Sequence, residues 1–225
     1  MKYQILGGSF PVAVCDMNPG EAIICQAGGM SWIRGDIRME TKGGGLGKMF
    51  GRAISGESMF QNRYAAHSQG QIAFAASVPG EIRAIQVSPG CSVIAQKGSF
   101  LASDEGVELS VYLQKKAGAG FFGGEGFVMQ KFAGSGTVLV EIDGSAVEYD
   151  LAPGEQITID TGYLVLMDES CKMDIVTVKG LGNKLFGGEG FFNTVVTGPG
   201  KVVLQTMPIS ALAGRISAFI PTGNG

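Results

Sequence analysis

The hexapeptide Phe-Gly-Gly-Glu-Gly-Phe occupies residues 122–127 and occurs again, unchanged, at residues 186–191. A looser copy, Ser-Gly-Glu-Ser-Met-Phe, occupies residues 55–60. Each copy places one acidic residue inside a short glycine- or serine-containing segment that ends in phenylalanine. We call these three copies the motif loops. Their recurrence indicates internal duplication, which decides the fold prediction before any single strand is assigned.

A second landmark, the dipeptide Pro-Gly, precedes each motif loop at nearly the same distance. Its prolines, at positions 19, 89 and 153, lie 38, 36 and 36 positions before the motif glutamates Glu57, Glu125 and Glu189. Since two landmarks keep their separation three times, the sequence predicts three repeats of about 65 to 70 residues. The predicted repeats are 1–78, 79–143 and 144–212, and a C-terminal segment and tail follow at 213–225.

The composition favours a single compact all-β domain. Of 225 residues, 37 are glycine, 45% are hydrophobic and only 16% are charged. This mixture is too apolar for a disordered chain, and it is typical of strands joined by tight turns. Alternating apolar residues from Val107 to Leu113 predict a half-buried antiparallel strand, and no stretch has the pattern of a 12-residue amphipathic helix. Residues 209–220 fit either a helical turn or a last strand.

Turn chemistry predicts where the strands are joined. At each Pro-Gly, proline fixes φ and glycine accepts the left-handed conformation, so a tight turn is expected. Asp143-Gly144 predicts a two-residue hairpin turn, and the strands on either side of residues 68–70 and 134–136 are also predicted to form hairpins. One large aromatic follows each Pro-Gly turn, and these three are predicted to anchor the core: Trp32, Phe100 and Tyr163.

Charge and cysteine usage restrict the partners and the compartment. The net charge is −3 and no basic cluster exceeds Lys115-Lys116, which disfavours a nucleic-acid partner. The N-terminus has no apolar signal-peptide region, and no apolar run approaches the ~20 residues of a transmembrane helix. The four cysteines form no CxxC pair and are interpreted as small buried hydrophobes, with a Cys15–Cys25 disulfide as the alternative. We therefore expect a reduced, cytoplasmic protein.

The sequence offers little catalytic chemistry. The single histidine, His67, has Ser68 beside it, but no GxSxG element accompanies them, so a hydrolase is only a distant candidate. One histidine and unpaired cysteines make a zinc site improbable. The glycine-rich loops lack the Gly-Lys-Ser/Thr ending of a phosphate loop. We predict a protein that is not an enzyme and needs no metal or cofactor.

The motif loops supply the candidate site residues. Each glutamate either accepts N–H bonds from its own glycine-rich turn or joins a ring of three carboxylates that binds a cation or small ligand. The phenylalanines either plug one end of the barrel or form an apolar patch for a partner, a like subunit or a membrane surface. The candidates for loop and partner binding are Glu57, Phe60, Phe122, Glu125, Phe127, Phe186, Glu189 and Phe191.

These motifs, together with Gly134-Ser-Gly-Thr137, the Thr197-Gly-Pro-Gly200 segment and the Met207-to-Arg215 tail, resemble the altered-inheritance-of-mitochondria family. The resemblance covers essentially the whole chain. It implies a fold similar to the tryptophan RNA-binding attenuation protein, described as a double-stranded β-helix-like arrangement of repeated units, and it implies no known enzyme activity. Eukaryotic members are associated with organisation of the mitochondrial inner membrane. The RNA-binding role of the fold's namesake does not transfer, because function belongs to sites.

The sequence therefore predicts an all-β, β-helix-like or β-prism protein with pseudo-threefold symmetry. We expect a non-enzymatic binding or scaffolding module that presents its motif loops to a protein or membrane-associated partner. The alternative is a small-ligand or cation-binding protein that uses Glu57, Glu125 and Glu189. Exposed strand edges and apolar loops also predict a homo-oligomer.

Overall fold

The computed structural model describes residues 1–40, 61–115, 127–177, 192–217 and 219–220. Most of these residues lie in strands, and a short helix follows the last strand, so the protein is all-β as predicted. The strands are β1 (Lys2–Leu6), β2 (Val12–Met17), β3 (Ala22–Gln26), β4 (Met30–Arg34), β5 (Ile37–Glu40), β6 (Gln61–Ala66), β7 (Gly70–Ala75), β8 (Gly80–Val87), β9 (Val93–Gln96), β10 (Phe100–Asp104), β11 (Val107–Lys115), β12 (Phe127–Gly134), β13 (Gly136–Asp143), β14 (Ala146–Leu151), β15 (Gln156–Asp160), β16 (Leu164–Asp168), β17 (Lys172–Thr177), β18 (Phe192–Thr197) and β19 (Gly200–Gln205), and the helix α1 is Ile209–Ser217.

The described strands form four antiparallel sheets. Two sheets have six strands, in the orders β5-β6-β3-β10-β13-β8 and β11-β12-β9-β16-β19-β14. A third has the order β1-β2-β7-β4, and a fourth has the order β15-β18-β17. Strands that follow one another along the chain therefore often belong to different sheets.

The same pairings occur at successive places along the chain. β2 pairs with β7, β8 with β13 and β14 with β19. β3 pairs with β6, β9 with β12 and β15 with β18. β4, β10 and β16 pair with β7, β13 and β19, and each of these three pairs has one register shift after the first residue of its first strand. Two further pairings, β3 with β10 and β9 with β16, join the strands into the six-stranded sheets.

The three Pro-Gly turns are confirmed. Their glycines have positive φ: +87° at Gly20, +81° at Gly90 and +81° at Gly154. In each turn the backbone N–H of the residue after glycine donates to the carbonyl of the residue before proline, at 3.1, 2.8 and 3.0 Å. Proline at the second position and a left-handed glycine at the third are the requirements of a type II turn.

Three predicted hairpins are wrong, although the turns themselves occur. Gly144 has φ +76°, but β13 pairs with β8 and β10 while β14 pairs with β19. Likewise β6 and β7 lie in different sheets, as do β12 and β13. Glycine chemistry reverses the chain locally, but whether the returning strand pairs with its predecessor or crosses to another sheet depends on distant partners.

The core consists of three hydrophobic clusters, in which Phe74 and Phe132 are fully buried. Of the predicted aromatic anchors, Phe100 is confirmed: it is 3% exposed, and its ring centroid lies 5.7 Å from that of Phe132. Tyr163 is partly buried against the third cluster. The prediction for Trp32 is wrong, because this side chain is 49% exposed. The register of β4 on β7 places Met30, and not Trp32, at the position of Phe100.

The four cysteines are free thiols. Cys15, Cys25 and Cys171 are buried, as predicted, whereas Cys91 is exposed. Cys15 and Cys25 share the first core cluster but lie on strands of different sheets, and the alternative disulfide is absent. Burial raises the pKa of both thiols to about 12, so they stay protonated and behave as apolar side chains.

The C-terminal segment is a helix, which was one of the two predicted alternatives. None of the side chains of α1 that the structure describes is buried. The helix is attached to the sheets at its first turn, where the Ile209 N–H donates to Asp143 Oδ2 at 2.7 Å. Burial raises the pKa of the Asp143 carboxyl, and this hydrogen bond opposes that shift.

Candidate functional site

Each motif loop belongs to a segment between two strands that are neighbours in one sheet. Residues 41–60 join β5 to β6, residues 116–126 join β11 to β12, and residues 178–191 join β17 to β18. The first strand of each pair is an edge strand of its sheet. The three segments therefore have the same topological position.

Most of the predicted site residues lie outside the described residues: Glu57, Phe60, Phe122, Glu125, Phe186, Glu189 and Phe191. Phe127 is described, as the first residue of β12, opposite Lys115 of β11. Its side chain is 3% exposed and belongs to the third core cluster. At this position the structure matches the alternative in which a motif phenylalanine contributes to the core.

A charged cluster joins the first strand pair to the end of β10. Arg63 of β6 binds Glu40 of β5 and, at 2.6 Å, Glu105, which follows β10. The pKa of the Arg63 guanidinium is raised, chiefly by the hydrogen bond that it donates to Glu105. These contacts join the base of segment 41–60 to the neighbouring strands and keep a cation paired in a place that is only partly exposed.

The second strand pair repeats the contact between Arg63 and Glu105, whereas the third differs. Lys131 of β12 donates to Glu169 at 2.5 Å, and this bond lowers the pKa of the Glu169 carboxyl. In the third pair the buried Thr161 hydroxyl donates to the Phe192 carbonyl at 2.7 Å and accepts from the Thr194 hydroxyl at 3.2 Å. The first two strand pairs thus share a cation–carboxylate contact with the end of β10 or β16, and the third has buried hydroxyl contacts instead.

The edge strands that lead into the three segments expose large apolar side chains. On β5 this is Met39, at 56% exposure, and on β17 it is Val176, at 42%. On β11 both Val111 and Tyr112 are exposed, where a register shift interrupts the pairing with β12. These residues are not among the candidates predicted from the sequence. In the sequence, an apolar residue stands in the strand before each of the three segments. Only the sheet order shows that these strands are edges and that such residues can be exposed.

His67 and Ser68 do not form a catalytic pair. The Ser68 hydroxyl accepts from the Asp36 N–H at 2.9 Å and donates to the Gln69 carbonyl at 3.3 Å, so it stabilises its own turn. The His67 Nε2 atom faces the Glu40 carboxylate at 3.8 Å. A serine nucleophile needs its hydroxyl directed at the base, and this arrangement does not provide that.

A cleft of ≈ 490 Å³ lies between the β2–β7 pair and the end of β4. Lys2, Asp16, Arg34 and Gln71 are among its lining residues. Asp16 already binds Lys2 at 3.2 Å and accepts from Gln71 at 2.8 Å. The Gln71 bond, followed by Lys2, lowers the pKa of this carboxyl. The cleft is mixed in charge and does not resemble the predicted carboxylate ring.

Neither a metal-ligand cluster nor a membrane-spanning helix occurs in the described part of the chain. Its histidine, cysteine and carboxylate side chains form no group of three placed to hold a metal ion. Its helix is too short to span a bilayer.

Comparison with known proteins identifies the family. Residues 3–207 match the family model described as Mitochondrial biogenesis AIM24. The chain belongs to the AIM24 family. This confirms the resemblance that the motif loops indicated, and it extends over nearly all of the described strands.

Relatives of this AIM24 protein come from streptococci. An uncharacterized protein of Streptococcus pyogenes serotype M6 is 31% identical in an alignment that covers 96% of this chain and 89% of the relative. The X-ray crystal structure of a Streptococcus pyogenes protein has the same fold, with a TM-score of 0.81 at 24% identity over 97% of this chain and 99% of the other. Neither comparison assigns an activity to the AIM24 fold.

Proposed function

We propose that this AIM24 protein is a non-enzymatic, cytoplasmic scaffold that presents its three motif loops to a protein or membrane-associated partner. The observation that carries the proposal is the exposure of apolar side chains on β5, β11 and β17, the three edge strands that lead into the loop segments. Single exposed apolar residues are normal, but their recurrence beside each segment favours a contact surface.

The proposal includes three structural repeats, 1–78, 79–143 and 144–212, with pseudo-threefold symmetry. The repeated strand pairings and the repeated register shift support this division. A scaffold built from repeats offers its partner several equivalent contacts, each of which adds to binding without a deep pocket.

Two observations favour a scaffold over an enzyme. The hydroxyl of Ser68 is engaged by its own turn, and the raised pKa of Cys15 and Cys25 keeps those thiols unreactive. Buried free thiols also fit a reducing compartment. The alternative function, a cation or small-ligand site formed by Glu57, Glu125 and Glu189, rests on the shared topological position of the three segments.

A capture experiment with a matched control tests the scaffold. The tagged wild type, a Phe122→Ser/Phe186→Ser variant and a Phe10→Ser/Phe219→Ser variant are each purified from the native cell after in vivo crosslinking, and bound proteins are quantified by mass spectrometry. Phe10 and Phe219 are 73% and 87% exposed and lie outside the motif loops, so they control for the loss of surface phenylalanine.

We expect the loop variant to lose proteins that the wild type and the control both retain, while all three keep the same far-UV circular dichroism spectrum and Tm. Equal recovery by the three proteins would contradict the proposal. A loss shared by the control would assign binding to general surface hydrophobicity instead of the motif loops.

A further inference from the structure

Two edge strands of different sheets, β4 and β15, have no partner on their outer side in the described residues. β4 ends the sheet β1-β2-β7-β4, and β15 ends the sheet β15-β18-β17. An unpaired edge presents a row of N–H and C=O groups that pairs readily with another strand. These two edges differ from the other sheet edges in one respect. The strands at equivalent positions in the other repeats pair with each other within the chain.

That internal pairing occurs twice and in the same register. β10 pairs with β3 through Ala102 opposite Cys25, and β16 pairs with β9 through Leu166 opposite Ala95. β3, β9 and β15 each follow a Pro-Gly turn, and β4, β10 and β16 each carry the register shift after their first residue. β4 therefore corresponds to β10 and β16, and β15 corresponds to β3 and β9.

We propose that β15 of one copy of this chain pairs, antiparallel, with β4 of a second copy. The pairing would complete the six-strand order β17-β18-β15-β4-β7-β2, with β1 as a seventh strand beyond β2. Pairing by pairing, this is the arrangement of β5-β6-β3-β10-β13-β8 within one chain. Transferring the internal register places Trp32 opposite Ile159, Ile33 opposite Thr158 and Arg34 opposite Ile157.

Burial supports this assignment. At the position of Trp32, Ala102 is 0% and Leu166 is 3% exposed, and each lies on a strand that is paired on both sides. Trp32 itself is 49% exposed. A tryptophan at the one uncovered position of three offers a large apolar area for a partner strand to bury.

Charge supports the choice of partner edge. On β10 and β16 the last residue is an aspartate. The Asp104 carboxylate accepts a backbone N–H from the neighbouring strand β13, and the Asp168 carboxylate accepts one from β19, each at 2.8 Å. β4 has Arg34 at that position. In the transferred register, Arg34 lies diagonal to Glu155, an exposed residue directly before β15 whose carboxylate also accepts from the Ala152 N–H at 2.8 Å. Opposite charges at diagonal positions of an antiparallel pair attract, and long side chains span the gap.

The contact is heterologous, since each copy offers one β4 edge and one β15 edge. Such contacts continue from copy to copy until a ring closes. The inference is independent of the proposed scaffold function, because it involves none of the motif loops.

Light scattering coupled to size exclusion, at high micromolar concentration, tests the pairing. One chain has a mass of 23.4 kDa, and we expect wild type to elute as a multiple of it. Trp32→Arg should reduce the mass to that of one chain with an unchanged circular dichroism spectrum. Tyr149→Arg is the matched control: Tyr149 is 45% exposed on β14, another edge strand, and its change should leave the assembly intact.

A charge exchange identifies the partner edge without removing the tryptophan. Arg34→Glu and Glu155→Arg should each weaken the assembly, and the double variant should restore it. A wild type that stays at 23.4 kDa, an assembly that survives Trp32→Arg, or a double variant as weak as the single ones would overturn the proposal.

Discussion

At the scale of single residues, the buried carboxyl of Glu141 makes the free energy of unfolding depend on pH. It lies on β13 at 7% exposure and accepts from the Ser77 N–H at 2.7 Å and the Ser77 hydroxyl at 3.1 Å. Burial raises its pKa, and the Ser77 bonds only partly oppose this. The folded protein therefore binds the proton more tightly than the unfolded chain, so the free energy of unfolding falls as pH rises from the ordinary glutamate range through the raised pKa.

Glu141→Gln removes this titration. We expect the unfolding free energy of the variant, measured by urea denaturation and taken relative to wild type, to increase with pH over that window. Glu148→Gln is the opposite control, because a hydrogen bond from Lys201 lowers the pKa of Glu148. Its relative stability should decrease as pH rises through the acidic range, and less so at high salt. Parallel trends for the two variants would refute the assignment.

At the scale of elements, the Pro-Gly turns are the best test of equivalence between the repeats. Gly20, Gly90 and Gly154 all have positive φ, and a Cβ added at any of them meets no atom within 4 Å. Alanine there costs only the left-handed backbone conformation, about 1–2 kcal/mol. We expect the three Gly→Ala variants to lose similar amounts in urea denaturation.

Gly214→Ala provides the control for these turn variants. Gly214 also has open space around its added Cβ, but it lies inside α1, where alanine is favoured over glycine by about 1 kcal/mol. This change should leave stability unchanged or raise it. Turn variants as stable as Gly214→Ala would show that the turns carry no strain, and unequal losses at the three turns would count against equivalent repeats.

The elements also show what the sequence predicts well. Strand positions and Pro-Gly turns depend on a few adjacent residues, so alternation and turn chemistry located them. Sheet membership depends on partners far away in the chain, and the hairpin predicted at Asp143-Gly144 was wrong for that reason. Trp32 was misplaced because one register shift decides which residue of β4 faces the core. The motif segments could be located in the sequence. The exposure of Met39 and Val176 on the adjoining strands could not be predicted without the sheet order, which makes those strands edges.

At the scale of the whole molecule, the strand pairs that carry the motif segments lie in three different sheets. β5–β6, β11–β12 and β17–β18 share no sheet with one another. A ring of Glu57, Glu125 and Glu189 would therefore require segments from separate sheets to converge, whereas a carboxylate that accepts N–H bonds from its own loop needs no neighbour. Three independent loops stay our prediction for Glu57, Glu125 and Glu189, which lie outside the described residues.

The two arrangements differ in how substitutions combine. If each carboxylate folds its own loop, Glu125→Gln and Glu189→Gln should each cost about 1 to 3 kcal/mol, because loop N–H groups lose a charged acceptor. The two costs should then add in the double variant, since separated sites do not couple. In a shared site, removing one of three repelling charges would instead stabilise the unliganded protein and abolish a rise in Tm with Mg²⁺ or Ca²⁺. We expect additive losses in urea denaturation and no cation-dependent shift in wild type. Single variants more stable than wild type, together with a cation-dependent Tm that they lose, would establish the ring.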